Sequence, residues 1–294
     1  MKRIAIFGKT VGKKNLMYMQ QIVDKLGAFR CELFIYKPFH TLITDEKINI
    51  PAEVSCFSTS KEIIGKVDFL FSIGGDGTLL DATTFVHDSG IPILGINLGR
   101  LGFLSSIPKD KIDFAIENLI QNNYVLDQRS LLRLETKEGL FGEVNYALNE
   151  LSIVRHDPFS MLTIRVNVNG EYLNSYWADG LLVSTPTGST AYSLSCGGPI
   201  ITPDSKNFVI SPIASHNLTV RPIVIPDDSE ITIQVEGRNR EFLVALDSRS
   251  VHVSEQAVLT IKKEDFYIHL VRFPDQDFFA TMREKLHWGF DKRN

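Results

Sequence analysis

A predicted buried strand runs into a glycine turn at Val67-Asp68-Phe69-Leu70-Phe71-Ser72-Ile73-Gly74-Gly75-Asp76-Gly77-Thr78. Its first half is a nearly continuous run of β-forming apolar side chains, typical of a strand buried in a parallel sheet. After Thr78 the apolar residues take helical spacing, at Leu79, Leu80, Ala82, Thr83 and Val86. Strand, glycine turn and helix start form the phosphate site of many open α/β sheets, because glycines let an anion approach the N–H groups of the helix N-terminus. We therefore expect a phosphate loop at Gly74, Gly75, Gly77 and Thr78.

Asp76 is unusual in this turn, because a carboxylate repels a phosphate. Two functional explanations are open: the carboxylate holds Mg²⁺ beside the phosphate, or it takes a proton from a hydroxyl group that attacks the phosphate. The structural alternative is a plain tight turn, since Asp-Gly is a common hairpin dipeptide. The helical spacing after Thr78 disfavours that alternative, because a hairpin requires a returning strand.

Composition sets the class of protein. The chain has 294 residues, of which 44% are hydrophobic and 22% charged, as in a globular protein of one large or two ordinary domains. The net charge of −4 argues against a nucleic-acid partner. No apolar run approaches the roughly 18 residues of a membrane span, and the one at Ile4–Phe7 is too short for a signal peptide. Cys31, Cys56 and Cys196 are far apart, which indicates a cytoplasmic protein without a zinc site.

Residues 1–125 alternate between strand and helix patterns. Strands are predicted at Ile4–Phe7, Cys31–Tyr36 and Ile91–Ile96, and helices at Leu16–Phe29 and from Pro108 to about Asn122, whereas residues 40–60 look irregular. This alternation predicts a parallel sheet with crossover helices. Gly8–Lys14 is similar to a phosphate-binding Walker A loop, but its glycine spacing is one residue short and Lys14 replaces the Ser or Thr that holds magnesium, so we predict an ordinary loop.

From about Tyr124 onward the pattern is that of a second, β-rich domain. Asn169-Gly170 is a two-residue hairpin turn between alternating strands. The predicted strands are Leu132–Thr136, Tyr146–Val154, Leu162–Val168, Glu171–Trp177, Leu181–Ser184, Ile223–Ile225, Ile231–Val235, Phe242–Leu246, Val258–Ile261 and Tyr267–Val271. We thus predict an α/β domain with a parallel sheet (1–125), a β-rich, sandwich-like domain (126–271) and a C-terminal helix that packs on the first domain (272–294).

Three polar stretches interrupt the β-rich pattern. Asn149-Glu150 is either a water-facing strand position or a grip for a ribose diol or an adenine edge. The second stretch, residues 179–200, is rich in small and hydroxyl side chains, which suit a flat ligand close to the backbone. In the third, residues 212–222, His216 has either a structural or a catalytic role, and Arg221 either contacts phosphate or forms a salt bridge. The seven histidines show no metal-binding spacing.

Together these motifs resemble those of the NAD kinase family. The match comprises Gly74-Gly75-Asp76-Gly77-Thr78, Asn149-Glu150, the run from Ser184 to Ser195 and Gly197-Gly198-Pro199, together with the loop Asn97–Phe103 and the stretch Pro212–Pro222. The glycine-aspartate turn alone is weak, since lipid kinases and phosphofructokinases carry similar turns; its combination with the hydroxyl-rich stretch is specific. The resemblance covers about residues 67–250. It implies transfer of a terminal phosphate of ATP, or of polyphosphate, to the 2′-hydroxyl of the adenosine ribose of NAD, with Mg²⁺ carried by the nucleotide and no fixed metal site.

The resemblance also implies roles for single residues. Asp76 corresponds to the catalytic carboxylate that accepts the proton of the 2′-hydroxyl, with Gly77 against the ligand and Phe103 as a wall of the pocket. Asn149 and Glu150 correspond to residues around the adenosine ribose, and Asp179 to one near the nicotinamide. The adenine and ribose pocket corresponds to Thr190, Ala191, Tyr192, Ser193, Leu194 and Ser195. The family forms homo-oligomers, so a homotetramer or homodimer is expected.

Two departures from the family pattern stand out. Asp247-Ser248-Arg249 replaces a frequent Asp-Gly-Gln, and Trp177 replaces a basic residue that some members carry two positions before Asp179. Arg100, His216 and Arg249 are further candidate ligand contacts. Two alternative functions stay open: a lipid kinase of the diacylglycerol or sphingosine type, which the polar lining at Thr185–Ser195 disfavours, and a non-catalytic dinucleotide sensor, which gains nothing from Asp76.

Overall fold

In a computed structural model the chain divides into two compact units, residues 1–128 with 268–294, and residues 129–267. The structure describes residues 1–99, 102–105, 107–157, 161–236, 241–274 and 276–288. The candidate residue Arg100 lies outside these ranges.

Twenty strands and six α-helices make up the described chain. The strands are β1 Arg3–Gly8, β2 Glu32–Tyr36, β3 Val54–Phe57, β4 Phe69–Ile73, β5 Ile93–Asn97, β6 Ile107–Pro108, β7 Val125–Arg129, β8 Leu132–Glu135, β9 Tyr146–Ala147, β10 Glu150–Arg155, β11 Leu162–Val168, β12 Glu171–Ala178, β13 Gly180–Ser184, β14 Asn207–Ile213, β15 Ile223–Pro226, β16 Ile231–Glu236, β17 Glu241–Leu246, β18 Arg249–Ser254, β19 Val258–Lys263 and β20 Ile268–Arg272. The helices are α1 Leu16–Ala28, α2 Lys37–Asp45, α3 Asp76–Val86, α4 Ile112–Ile120, α5 Tyr192–Ser195 and α6 Phe278–Leu286.

The first unit is built on one sheet with the strand order β3-β2-β1-β4-β5-β20-β7, and β6 also pairs with β5. The strands from β1 to β6 pair in parallel, and β20 joins β5 in the same direction. Phe71 and Ile73 of β4 are fully buried and share a core with the inward faces of α1 and α4. This confirms the predicted α/β sheet, with the glycine turn at the carboxyl end of a central strand.

Residues 40–60 were expected to be irregular, but they contain most of α2 and the whole of β3. Pro38 opens α2 in its first turn, where the missing N–H is not needed, instead of only ending the preceding strand. The strand β3 has two exposed residues among its four, so its sequence lacks the apolar alternation that predicts a strand.

The predicted strand at Tyr267–Val271 is β20, and it belongs to the first sheet rather than to the β-rich domain. Ile268, Leu270 and Val271 are buried, and Val271 and the following Phe273 join the core of the first unit. The apolar pattern predicted the strand correctly. It carried no information on which sheet would accept that strand.

The second unit contains two six-stranded antiparallel sheets, ordered β15-β14-β13-β10-β17-β18 and β12-β11-β16-β19-β8-β9. Their inward side chains form one apolar cluster that includes Leu151, Ile164 and Val244. The expected hairpin at Asn169-Gly170 is present, with positive φ at both residues and with Val168 paired to Glu171. The β-rich second unit is therefore confirmed, and β14 and β18 are additions to the predicted strands.

The C-terminal helix α6 belongs to the first unit, as predicted. Asp277 caps its N-terminus by accepting the N–H of Phe279 at 3.1 Å, and Met282 is its buried residue. None of the helices in the described ranges has the length and apolar character of a membrane span.

Candidate active site

The glycine turn sits between β4 and α3. Gly74 donates its N–H to Ile96 O at 2.9 Å and has a φ of 153°, where a side chain would also lie only 2.4 Å from Thr78 Oγ1. Gly75 and Gly77 are exposed, and a Cβ at either would meet no atom within 4 Å. The first N–H groups of a helix have no partner inside the helix, so the start of α3 presents donors beside open space.

Asp76 is the first residue of α3, and its carboxylate is already bound by a neighbouring loop. Oδ2 accepts the N–H of Phe103 at 2.8 Å, and Oδ1 accepts the N–H groups of Leu104 and Ser105 at 3.1 and 2.9 Å. A Cβ at Gly102 would lie 1.8 to 2.4 Å from the same carboxylate. The structure therefore brings Phe103 to Asp76 through its backbone, a contact that no sequence spacing predicted.

Two lysines bring positive charge towards α3. Lys9 follows β1, where Gly8 pairs with Ile73, and its ammonium forms an ion pair with Asp81 of α3. Burial lowers the pKa of Lys285 in α6, and the carboxylate of Asp76 opposes this decrease. Lys285 was not among the predicted residues, because nothing in the sequence relates α6 to a loop some 200 positions away.

In the second unit, Asn149 and Glu150 lie where β9 ends and β10 begins. Asn149 is only 7% exposed. Among the described residues, neither Asn149 Oδ1 nor Glu150 Oε2 has a hydrogen-bond partner. Burial, and then the nearby Asp247, raise the pKa of Glu150 to about 8. These two polar atoms are buried and have no hydrogen-bond partner among the described residues. This is typical of a ligand site rather than of a water-facing strand.

The hydroxyl-rich stretch folds into a 3-10 turn, Thr187–Thr190, followed by α5. Several of its hydroxyl groups bind the protein itself: Thr185 Oγ1 donates to Leu148 O at 2.5 Å, Ser189 Oγ to Pro186 O at 2.7 Å, and Ser193 Oγ lies 3.3 Å from Ser211 Oγ. The abundance of hydroxyl groups thus partly serves the fold. Tyr192 is 42% exposed and Ser195 is exposed, Thr190, Ala191 and Leu194 are half-buried, and Ser193 is buried.

Electrostatics link three of the predicted residues in the second unit. The pKa of Tyr192 is raised by burial and then by Cys196, Asp179 and Glu150. Burial and then Glu150 likewise raise the pKa of Cys196. The structure therefore gathers Glu150, Asp179 and α5 in one region, where Asp179 Oδ2 also forms an ion pair of 3.1 Å with Arg155.

Two further candidates have contacts inside the protein. The exposed ring of His216 packs on Trp177 with 5.0 Å between ring centroids, and the backbone N–H of His216 donates to Trp177 O at 2.9 Å. The guanidinium group of Arg249 donates to Val144 O and Tyr146 O. Arg249 thus holds its own unit together, and these contacts do not direct it towards a phosphate.

No three His, Cys, Asp or Glu side chains in the described ranges are grouped so as to hold a metal ion. Asp76, the acid in the glycine turn, accepts two N–H donors at Oδ1 and one at Oδ2, which leaves a single acceptor position on Oδ2. This donor set does not fit a resident cation.

Comparison with known proteins agrees with this geometry. Models of the ATP-NAD kinase N-terminal and C-terminal domains match residues 6–124 and 148–273. The NAD kinases of Cytophaga hutchinsonii and Flavobacterium johnsoniae are 46% and 47% identical to this chain, over 99% of it and 99% and 100% of their own length.

Two solved structures have the same fold. Yeast NADH kinase complexed with NADH has a TM-score of 0.88 at 22% identity, covering 100% of this chain and 89% of its own. The NAD kinase of Archaeoglobus fulgidus in complex with ATP has a TM-score of 0.74 at 24% identity, covering 97% and 98%. From the two domain matches and the full-length relatives, it follows that this chain is a member of the ATP-NAD kinase family.

Proposed function

We propose that the protein is an NAD kinase that transfers the terminal phosphate of ATP to the 2′-hydroxyl of the adenosine ribose of NAD, giving NADP and ADP. The observation that carries this proposal is the carboxylate of Asp76, fixed at the start of α3 beside exposed glycines. Family membership and relatives named NAD kinase support it. A protein that only bound the dinucleotide would gain nothing from an acid placed beside phosphates.

Asp76 has one acceptor direction left for the substrate. A carboxylate offers about four lone-pair positions; Oδ1 accepts two N–H groups and Oδ2 accepts one. In the proposed reaction Oδ2 receives the proton as the O2′–H bond breaks. The O2′ oxygen then bonds to the terminal phosphorus, and the bond to the ADP oxygen breaks, with its electron pair leaving on ADP. The three N–H groups hold the carboxylate still, so positioning supplies most of the catalysis.

The dinucleotide contacts are assigned to the polar groups left available. Asn149 Oδ1 and Glu150 Oε2 face the adenosine ribose, and Thr190 to Ser195 form the adenine and ribose pocket with Tyr192 exposed for stacking. Asp179 is assigned to the nicotinamide end and Phe103 to a wall of the pocket. The buried hydroxyl groups of Thr185 and Ser189 are excluded from this set, because they already bind backbone oxygens.

The donor is proposed to enter as the magnesium complex of ATP. Gly74, Gly75, Gly77 and Thr78 surround the start of α3, where N–H groups favour an anion. Mg²⁺ is therefore part of the substrate, and it offsets charge on the phosphates when bound.

We further propose that the protein is a cytoplasmic homo-oligomer, a homotetramer or a homodimer. Three free cysteines suit a reducing compartment. Tyr172 and Trp177 are 57% and 54% exposed on β12, at the edge of its sheet, where such aromatic side chains suit a subunit contact. Light scattering coupled to size exclusion measures the assembly, and a monomeric mass would contradict it. Cell fractionation measures the compartment, and recovery outside the cytoplasm would contradict that assignment.

Product analysis tests the function directly. Purified protein with NAD and magnesium ATP should yield NADP and ADP in equal amounts, with polyphosphate and NADH as parallel reactions that define the donor and acceptor. Labelled phosphate transferred to a diacylglycerol or sphingosine instead would support a lipid kinase. Tight NAD binding without any product would support a dinucleotide sensor.

Asp76→Asn should lower kcat by about 10² to 10⁴, the usual contribution of a general base. The amide loses the basic oxygen but fills the same space. Asp88→Asn, which removes an exposed carboxylate just beyond α3, is the matched control and should keep full activity. Steady-state kinetics and thermal unfolding are measured on both variants. Near-normal NADP formation by Asp76→Asn would remove Asp76 from the reaction.

A further inference from the structure

Asp247 is a buried carboxylate outside the set assigned to the reaction. It sits in the turn between β17 and β18 with a positive φ of 52°. Its Oδ2 accepts the N–H of Leu148 at 2.8 Å, and its Oδ1 accepts those of Asn149 and Glu150 at 2.8 and 3.2 Å. Its own N–H donates to Glu150 O at 3.0 Å. One side chain therefore holds three consecutive peptide groups.

Thr185 holds the same segment through its carbonyl oxygens. Its N–H donates to Asn149 O at 2.9 Å, and its hydroxyl donates to Leu148 O. Gly188 closes the contact, since a Cβ there would lie 2.1 Å from Asn149 O. The backbone polar groups of Leu148 and Asn149 are thus all bound by protein, which leaves this segment no freedom to turn.

The side chains of the held segment are left unpaired. A buried polar group without a hydrogen bond costs about 1–3 kcal/mol, and both Asn149 Oδ1 and Glu150 Oε2 are in this state among the described residues. A segment fixed so firmly, with two such groups, is arranged for a ligand that supplies the missing bonds. A ribose diol or an adenine amino group has that chemistry.

Burial raises the pKa of Asp247, and the nearby Arg249 is one of the groups that oppose this increase. Its positive charge acts on Asp247, while its guanidinium group is held on the carbonyls of Val144 and Tyr146. Arg249, in the Asp-Ser-Arg departure from the family pattern, therefore holds the chain just before Leu148–Glu150.

We propose that Asp247 is a positioning residue for the dinucleotide: with Thr185 it holds Leu148–Glu150 so that Asn149 Oδ1 and Glu150 Oε2 meet the adenosine of NAD. The inference rests on the proposed function. Two acceptor oxygens are required because N–H donors point at both of them. An asparagine accepts at one oxygen only and turns its NH₂ group towards an N–H.

Asp247→Asn should raise KM for NAD at least tenfold and leave KM for magnesium ATP within twofold. The matched control is Asp227→Asn, since Asp227 is 5% exposed in the same unit and pairs with Lys263 at 2.6 Å, away from this segment. The control should lower the melting temperature without changing KM for NAD. If the role of Asp247 were merely structural, Asp247→Asn would behave like the control: stability and active fraction would fall, and KM for NAD would not change.

Thr185→Val is a second route that does not depend on Asp247→Asn folding. It keeps the shape and the backbone bond but removes the hydroxyl bond to Leu148 O and the one from the Gly188 N–H, and it should also raise KM for NAD selectively. Dissociation constants for NAD from titration calorimetry accompany the kinetics. If the wild-type protein turns over and both variants bind NAD as tightly as wild type does, the inference is wrong and the proposed function stands. If the wild-type protein binds NAD but forms no product, the proposed function is wrong. The NAD dissociation constants of the two variants then still test the inference.

Discussion

The carboxyl groups of Glu150 and Asp247 are both buried, and the backbone of Glu150 is hydrogen-bonded to Asp247. The two acids differ in the interactions that offset the effect of burial on their pKa. Burial raises the pKa of both, but three N–H bonds and Arg249 counter this increase only at Asp247. Glu150 is therefore neutral up to about pH 8, whereas the N–H bonds and Arg249 favour the charged form of Asp247 against its burial. A neutral Glu150 can donate as well as accept a hydrogen bond, which widens the set of adenosine groups that it can bind.

This difference predicts a pH dependence of stability. Because the folded protein keeps the Glu150 proton up to a pKa of about 8 and the unfolded chain releases it near pH 4, the free energy of unfolding should fall as pH rises through this window. Glu150→Gln removes this contribution, which is at most about 5 kcal/mol. Melting temperatures between pH 5.5 and 8.5 should decline more steeply for wild type than for Glu150→Gln. Parallel curves would show that Glu150 ionises freely in the fold.

At the scale of elements, the loop 102–105 and helix α3 are joined through Asp76, the proposed catalytic acid. The loop supplies the N–H groups that hold Asp76, and it approaches so closely that only a glycine fits at position 102. The sequence predicted the glycine turn, the helix after it and the importance of the loop. It did not predict their contact, because a hydrogen bond across 27 to 29 positions depends on how β5 places the loop beside β4.

Gly102→Ala should reduce kcat at least a hundredfold, since its Cβ would overlap the carboxylate of Asp76 and force the loop or the acid to move. Gly99→Ala is the matched control in the same loop, where a Cβ would meet its nearest atom, Asn97 Oδ1, at 3.6 Å. The control should keep most of the activity. Equal kinetics for the two variants would mean that the site tolerates a displaced Asp76.

Some features of the structure were not predicted because they depend on partners that are distant in sequence. The strand β14 was not predicted; its Pro212 lies beyond Asn207–Ile210, the part of β14 that pairs with β15, so the missing N–H does not interrupt that pairing. Local patterns predicted most elements and brought Asn149, Glu150 and Thr190–Ser195 into the candidate site. Asp247 and Thr185 were singled out by the sequence pattern, but their contacts with Leu148–Glu150 were not, and Lys285 was missed altogether, because these contacts join residues distant in sequence.

At the scale of the whole molecule, the first unit is discontinuous and the second is an insertion in it. The strand β20 pairs with β5 and is the neighbour of β7 in the first sheet. Phe273, just after β20, is fully buried and contacts Phe114 with 5.7 Å between ring centroids. Residues 1–128 therefore lack an interior strand and part of their own core.

Three fragments test this organisation. Residues 129–267 should fold alone, because both sheets and their apolar cluster lie within them. Residues 1–128 should fail to unfold cooperatively, whereas the same residues joined to 268–294 by a flexible Gly/Ser linker should do so. Circular dichroism during heating measures all three. Cooperative unfolding of residues 1–128 alone would show that β20 is dispensable to the first sheet.

The position of β20 also sets the order of events on the ribosome. At about 5–20 residues per second, β20 emerges on the order of ten seconds after β5, and the second unit is made in between. During that interval the edge of β5 near Ile93 has no β20 to pair with. An unpaired parallel edge is a template for aggregation, so a nascent chain stalled within the second unit is the form of this protein most in need of a chaperone.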